Sequence, residues 1–327
     1  MSASSRWGRT PLPLLLLGLT LLLAMNSALS AMVYGAIDGN DVSLSIAGPS
    51  ELWAWLSGDG LESKIFWRLR VPRIVGAGLV GAGLAAAGCA FQATLRNPLA
   101  EPYTLGVSSG AALGAVLAIR LGADSGILGS GAVGAAAQVG ALATVYAVWR
   151  LARVGGRLPA ATLLLAGITV AMFCAALTMV VQYTADVGEV YRMVRWMMGG
   201  LDGVLWRNLS INGPVIALTV ALLLWQARDF NAMAAGIDSA ASLGVDARRS
   251  TTIAFAACAL LVGAGISIAG PIGFIGLIVP HATRALVGAD HRRLLPASAL
   301  LGAATLILCD LLARALLYPS ELPVGVL

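Results

Sequence analysis

The stretch VGAGISIAGPIGFIGLIVPHATRALVGADHRR, residues 262–293, decides how the rest of the chain is interpreted. Residues 262–279 contain no ionisable side chain, and six of these eighteen positions are Gly or Pro. An apolar segment of this length approaches the roughly 20 residues that cross a bilayer. Small residues at this density weaken a soluble helix, but they let helices pack closely in a membrane bundle. Charged residues and two histidines follow, so the stretch predicts membrane helices and then a water-facing loop.

The composition extends this interpretation to the whole chain. Of the 327 residues, 58% are hydrophobic and 11% are charged, and the mean hydropathy is +0.86. These values predict an all-α polytopic membrane protein. In such a protein the net charge of +5 reports topology, and we expect no nucleic-acid partner. The cysteines lack a CxxC spacing and the histidines lack obvious ligand partners, so we expect no metal, cofactor or catalytic centre.

We interpret residues 1–327 as a single transmembrane domain. The polar residues 35–64 are predicted to form an external loop, and residues 184–212 an external segment with an interfacial helix. A cleavable signal peptide is the alternative for the first apolar run, although its continuation to Val33 favours a retained helix. Residues 228–249 read as a soluble loop. Spanning helices are predicted at about 12–33, 74–94, 103–119, 127–149, 158–183, 208–227, 251–269, 273–287 and 294–316.

The distribution of basic residues predicts a cytoplasmic N-terminus. With that orientation twelve of the 21 Arg and Lys residues lie in inner loops and nine lie outside. The outer exceptions include Lys64, Arg68, Arg70, Arg73 and Arg314. One interpretation is local pairing, since Asp310 lies one turn before Arg314 and Glu62 lies beside the first group. The other is a basic docking surface for an acidic partner. The sequence leaves both open.

Two further motifs bear on function. Residues 76–81 satisfy GxGxxG, but they lie inside a predicted span without the strand and acidic residue of a nucleotide site, so close helix packing explains them better. The chain also has no Walker A lysine motif, and we do not expect it to be an enzyme that hydrolyses ATP. The loop DSAASLGV, residues 238–245, predicts a short helix that is either a plain connector or a surface that fits a groove on a soluble partner.

Several blocks together resemble the FecCD-type (BtuC-like) permeases, the membrane subunits of bacterial ABC importers for iron-siderophores, haem and vitamin B12. The resemblance covers nearly the whole chain after Lys64. Its blocks are RLRVPR at 68–73, NPLAEPYTLGVSSGAALG at 97–114, WMMGGLDGVLW at 196–206, ASLGV at 241–245, GPIGFIGLIVPHATR at 270–284, DHRRLLP at 290–296 and ELPVGV at 321–326.

The resemblance implies the fold and the partners. It implies ten transmembrane helices per subunit, a homodimer in the cytoplasmic (inner) membrane, two separate ATP-binding subunits inside, and an extracytoplasmic substrate-binding protein. The first apolar run would be a retained helix. Because the sequence ends at Leu327, the tenth helix is expected to be largely missing from this chain.

The resemblance also implies sites. Arg70, Arg73 and Arg314 match positions that present basic residues to acidic side chains of the binding protein. The segment that matches the coupling helix on the ATP-binding subunit comprises Ser239, Ala240, Ala241, Ser242, Leu243, Gly244 and Val245.

We expect alternating access, with Gly155, Gly156 and Arg157 as a candidate cytoplasmic gate. A ferric siderophore is the favoured cargo, haem and cobalamin stay open, and a passive channel or membrane scaffold is the alternative from a different class.

Overall fold

The computed structural model describes residues 12–38, 41–58, 60–123, 130–153 and 159–326, and it is almost entirely helical. Within these ranges seven helices are long and apolar enough to cross a membrane, and two shorter apolar helices accompany them. The elements are α1 (Leu12–Met32), β1 (Val33–Asp38), β2 (Asp41–Ile46), α2 (Pro49–Ser57), α3 (Leu61–Ile65), α4 (Val71–Leu95), α5 (Val107–Arg120), α6 (Ser130–Ala152), α7 (Ala160–Tyr183), α8 (Val187–Met197), α9 (Trp206–Trp225), α10 (Ala227–Ala234), α11 (Ile237–Ser242), α12 (Ala247–Ala269), α13 (Ile275–Val287) and α14 (His291–Ala315).

The helix predicted from residue 103 is corrected at its start. A 3-10 turn, Pro102–Leu105, comes first, and Gly106 then adopts a left-handed backbone with φ +75°, so α5 begins only at Val107. A hydropathy pattern cannot register this change of direction, because every residue in the turn except Thr104 is apolar or small. The predicted loop 228–249 contains α11 where a short helix was expected, but it also holds most of α10 and the first residues of α12, which were not predicted.

The described residues of the segment predicted as an external loop, 35–64, form strands and helices. β1 and β2 pair antiparallel with Val33 opposite Ile46, and the hairpin packs with α2 over Trp55 and Phe66, which are buried. A π-helical turn, Phe66–Arg70, joins α3 to α4, so one continuous helix runs over Leu61–Leu95. The prediction began this helix at residue 74, because hydropathy marks where a helix meets water and not where its hydrogen bonding starts.

The centre of the molecule is built from α4, α12 and α14, which are the most buried of the long helices. Gly81 of α4 faces Gly302 of α14 so closely that a methyl group on either would collide with the carbonyl oxygen of the other. A methyl group on Gly88 would likewise collide with the backbone of Gly276 in α13. The small residues that looked like a nucleotide motif therefore allow backbone contact between helices, as predicted.

α1 lies against α14 and is mostly exposed elsewhere. Its two buried residues are polar: Asn26 donates from Nδ2 to the carbonyl oxygen of Ala304 at 3.2 Å, and Ser30 contacts Arg314. Polar contacts of this kind hold helices together where no water competes for the donors.

Candidate functional site

The three arginines expected to dock a partner meet at one end of α4 and α14. Arg73 donates from Nε to both oxygens of Asp310, at 2.9 and 3.1 Å, and from Nη1 to Glu321 at 2.9 Å. The side chain of Asp310 is 1% exposed, whereas that of Glu321 is 39% exposed. Arg73 therefore has one buried carboxylate partner and one that water reaches.

Arg314 shares Asp310 with Arg73. Its Nε lies 3.4 Å from Oδ2 of Asp310, and its Nη2 donates to Oγ of Ser30 at 2.6 Å. Local pairing, one of the two interpretations from sequence, is thus present at Asp310. We call Arg70, Arg73, Arg314, Asp310 and Glu321 the arginine cluster.

Arg70 is held by aromatic rings. Its guanidinium carbon lies 4.5 Å from the ring centroid of Trp55 and 5.2 Å from that of Tyr34, which is cation–π geometry. Its Nη1 is buried and meets no hydrogen-bond acceptor in the described ranges. A buried guanidinium nitrogen without an acceptor can still take a carboxylate oxygen.

A cavity of about 460 Å³ opens beside the cluster, and sequence reasoning missed two of its charged residues. Arg195 of α8 donates from Nη2 to Oδ2 of Asp202 at 2.8 Å. Burial favours the protonated form of Asp202, but the hydrogen bond and the charge of Arg195 outweigh it and hold its pKa below the usual value. The signal available in the sequence was Arg195 on an amphipathic segment beside the WMMGGLDG block.

The segment expected to bind an ATP-binding subunit, residues 239–245, packs on α10, which in turn contacts the first turn of α14 at the end away from the arginine cluster. Ala240 is buried against Ala232 and Met233, whereas Leu243 is 70% exposed. Val245 N–H donates to the Ala240 carbonyl at 2.9 Å and Gly244, with φ +77°, closes the turn. We call residues 239–245 the coupling segment: a short helix with a buried inner face and one large apolar side chain presented to solvent.

Two of the family-like blocks touch each other, which the sequence did not reveal. Glu101 accepts a hydrogen bond from the backbone N–H of Phe274 at 2.9 Å, and the hydroxyl of Tyr103 accepts one from Ile272 N–H at 3.1 Å. Burial raises the pKa of Glu101, and the bond from Phe274 opposes that shift. The contact places a carboxyl group at the N-terminus of α13, where the helix dipole favours negative charge.

The candidate gate residues Gly155, Gly156 and Arg157 lie outside the described residues. The nearest described position before them is Arg153, whose guanidinium carbon lies 5.1 Å from the ring centroid of Trp149. The gate stays a prediction.

Comparison with known proteins gives this arrangement a context. The sequence model of the FecCD transport family matches residues 40–327. The chain is 43% identical over 259 residues to the cobalamin import system permease protein BtuC of Halobacterium salinarum, covering 79% of this chain and 68% of the relative. It is 40% identical over 319 residues to the hemin transport system permease protein HmuU of Yersinia pestis, covering 96% of this chain and 92% of the relative.

A solved structure described as an inward-facing conformation of a metal-chelate type ABC transporter superimposes with a TM-score of 0.81 at 30% identity, covering 96% of this chain and 94% of the other. With seven long apolar helices in the described ranges, the chain is a multi-pass membrane protein. The chain therefore belongs to the FecCD transport family, as a permease subunit of an ABC importer.

Proposed function

We propose that this permease imports a ferric siderophore across the cytoplasmic membrane, working with a substrate-binding protein outside and two ATP-binding subunits inside. The observation that carries the proposal is the placement of the arginine cluster and the coupling segment at opposite ends of α14. A passive channel needs neither surface. The metal-chelate description of the structural neighbour supports an iron chelate as cargo.

Haem is the second candidate, because the hemin permease aligns with nearly the full length of this chain. Cobalamin is the third, because the cobalamin permease shares the highest identity of the relatives compared above. All three cargoes are large metal chelates, and their import against a gradient needs coupling to ATP, so the same docking and coupling surfaces serve each of them.

The arginine cluster is the proposed contact for the binding protein. Four arginines, Arg70, Arg73, Arg195 and Arg314, line the cavity together with the carboxylates of Asp202 and Glu321. The buried carboxylate of Asp310 pairs with Arg73 and Arg314 beside it. These seven groups carry one net positive charge, and on the exposed side of the helix over Leu61–Leu95 the charges of Lys64, Arg68 and Glu62 add one more. An acidic side chain of the partner would be steered to this basic surface.

The coupling segment is the proposed contact for the ATP-binding subunit. Leu243 would enter an apolar groove, and burying its side chain is worth roughly 1.5–3 kcal/mol. ATP binding would move this segment and open the pathway of a homodimer to one side at a time, with residues 155–157 closing the cytoplasmic end. This arrangement requires a cytoplasmic N-terminus, consistent with the bias of basic residues.

The test is uptake by cells that carry or lack the complete gene. Ferric siderophore, haem and cobalamin are supplied in parallel, each labelled. We expect selective loss of ferric siderophore uptake in the deletion strain and its return on complementation. Selective loss of haem or cobalamin uptake would change the assigned cargo but would support the assignment as an importer. Uptake that persists when the ATP-binding subunit alone is deleted would overturn the importer in favour of a passive channel.

A further inference from the structure

A polar contact at the inner end of α14 joins it to α10, in the DHRRLLP block that neither proposed surface uses. Asn231 donates from Nδ2 to Oδ1 of Asp290 at 2.6 Å. Its Oδ1 lies 2.8 Å from the backbone nitrogen of His291 and 2.9 Å from the Nδ1 of that residue. We call these three residues the amide clasp.

The donors and acceptors of the amide clasp fit only one arrangement. Since Asp290 as a carboxylate only accepts, the amide nitrogen of Asn231 must face it and the amide oxygen must face His291. That oxygen accepts the backbone N–H and the Nδ1–H of His291. The hydrogen bond from Asn231 holds the pKa of Asp290 below its usual value, so Asp290 stays charged. Leucine, with a similar shape, can make none of these bonds.

The amide clasp is well anchored on the α14 side. Asp290 caps this helix by accepting from the backbone N–H of Arg292 at 3.0 Å. His291 is 5% exposed, and its ring stands at an angle to that of Phe230 with centroids 6.0 Å apart. Asn231, only one position after Phe230, is therefore tied to the first turn of α14 and not to a flexible loop.

The second link from this region is weaker. Gln226 reaches Oγ of Ser250 on α12 at 3.4 Å, and that hydroxyl reaches Asp229 at 3.4 Å. Hydrogen bonds of 3.4 Å are at the long limit, whereas those of the amide clasp are 2.6 to 2.9 Å. The side-chain hydrogen bonds therefore hold α10 more tightly to α14 than to α12.

α14 then connects the two proposed surfaces. It holds 25 residues, and at 1.5 Å per residue it is roughly 37 Å long. Asp310 and Arg314, in the arginine cluster, lie near its far end, and Gly302 meets α4 in backbone contact along the way. Because Arg73 lies in α4 and Arg70 in the turn that continues into it, the two helices that carry the cluster pack directly against each other.

We propose that Asn231 is a positioning residue that transmits movement of the coupling segment through α14 to the arginine cluster. The proposal rests on the proposed function, since it assumes an ATP-binding subunit at one end and a binding protein at the other. Asn231 lies in α10, before the coupling segment, and it does not belong to the surface that would contact the ATP-binding subunit. Its role is to join two moving parts.

The test uses the complete permease reconstituted with its ATP-binding subunits and loaded binding protein. For Asn231→Leu we expect unstimulated ATP hydrolysis and subunit binding within about twofold of wild type, and a loss of about tenfold in stimulation by the binding protein. The exchange Asn231→Asp with Asp290→Asn restores a donor facing an acceptor and keeps a good cap, so stimulation should return to within about threefold of wild type.

A matched control is Gln226→Leu, the same change of shape at the weaker link, for which we expect stimulation within about twofold of wild type. Full stimulation in Asn231→Leu would overturn the proposal. Failure of the exchange variant to recover would also overturn it, because the loss would then come from packing. If wild type itself shows no stimulation by any binding protein, the proposed function fails and not this inference alone.

Discussion

The two ends of α14 present different kinds of surface. In the arginine cluster the charged groups are largely paired within the chain, and Asp310 is almost fully buried between two guanidinium groups. In the coupling segment the exposed group is apolar, and Leu243 stands in solvent with no polar partner to give up. The difference implies that a partner at the cluster must compete with internal carboxylates, whereas a partner at the coupling segment gains from simple burial of apolar area.

The sharpest way to break this comparison is to remove the buried carboxylate. Asp310→Asn leaves Arg73 and Arg314 without their shared counter-charge, and breaking a buried pair in this way costs about 3–5 kcal/mol. We expect a marked fall in the thermal unfolding midpoint of the detergent-solubilised protein. The matched control is Asp202→Asn, because the ion pair of Asp202 with Arg195 is about half exposed. For this variant we expect a loss of stability of under about 1 kcal/mol. Equal effects would contradict the distinction between buried and exposed carboxylates.

The coupling segment gives the next largest expected effect. Leu243→Asp removes the exposed apolar side chain, and affinity for the ATP-binding subunit should fall by about ten- to a hundredfold, as the loss of roughly 1.5–3 kcal/mol of burial requires. Leu99→Asp is the control, because Leu99 is similarly exposed at 71% and lies outside the segment. Pull-down titration of the permease measures both. If both variants bind like wild type, the coupling segment is a plain connector.

The smallest effect sharpens the idea of competition at the cluster. Glu321→Gln frees Nη1 of Arg73 for a carboxylate of the binding protein, so affinity should rise by about two- to threefold, in the range of an exposed ion pair. Glu62→Gln removes the same charge from the neighbouring exposed surface. Surface plasmon resonance at two salt concentrations compares the two. An equal rise in affinity in both variants would show that the net charge of the surface controls binding, and that Arg73 does not exchange Glu321 for a carboxylate of the binding protein.

The positions of the membrane-spanning helices and of the arginines at their ends could both be predicted from the sequence, and for the same reason. A lipid environment imposes long apolar runs and confines charge to their ends, so both features are written in the local composition. The helix ends differ from prediction where local chemistry overrides hydropathy. Arg68, Arg70 and Arg73 were placed before a helix, yet they lie inside the continuous helix over Leu61–Leu95. The hairpin was missed because residues 35–64 were interpreted from their acidic side chains, although β2, DVSLSI, alternates polar and apolar residues as a strand does.

The residues that pair with these charged and polar side chains could not be predicted from the sequence in the same way. Arg73 and Asp310 are 237 positions apart, and Asn231 and His291 are 60 apart. The sequence suggested Asp310 for Arg314 alone, through their helical spacing, and it gave no sign that Arg73 would take the same carboxylate. Glu101 and Phe274 likewise lie in two separate blocks whose contact no periodicity predicts.

The sequence by itself determined the membrane class, most of the helix positions, the basic character of one face and the short helix that presents Leu243, because each depends on residues close together in the chain. Only the tertiary structure decided which charges are paired, which are buried, and that α14 carries the arginine cluster at one end and the amide clasp at the other. Those properties depend on helices brought together by glycine contacts such as Gly81 with Gly302, and burial and pairing exist only once the helices have packed.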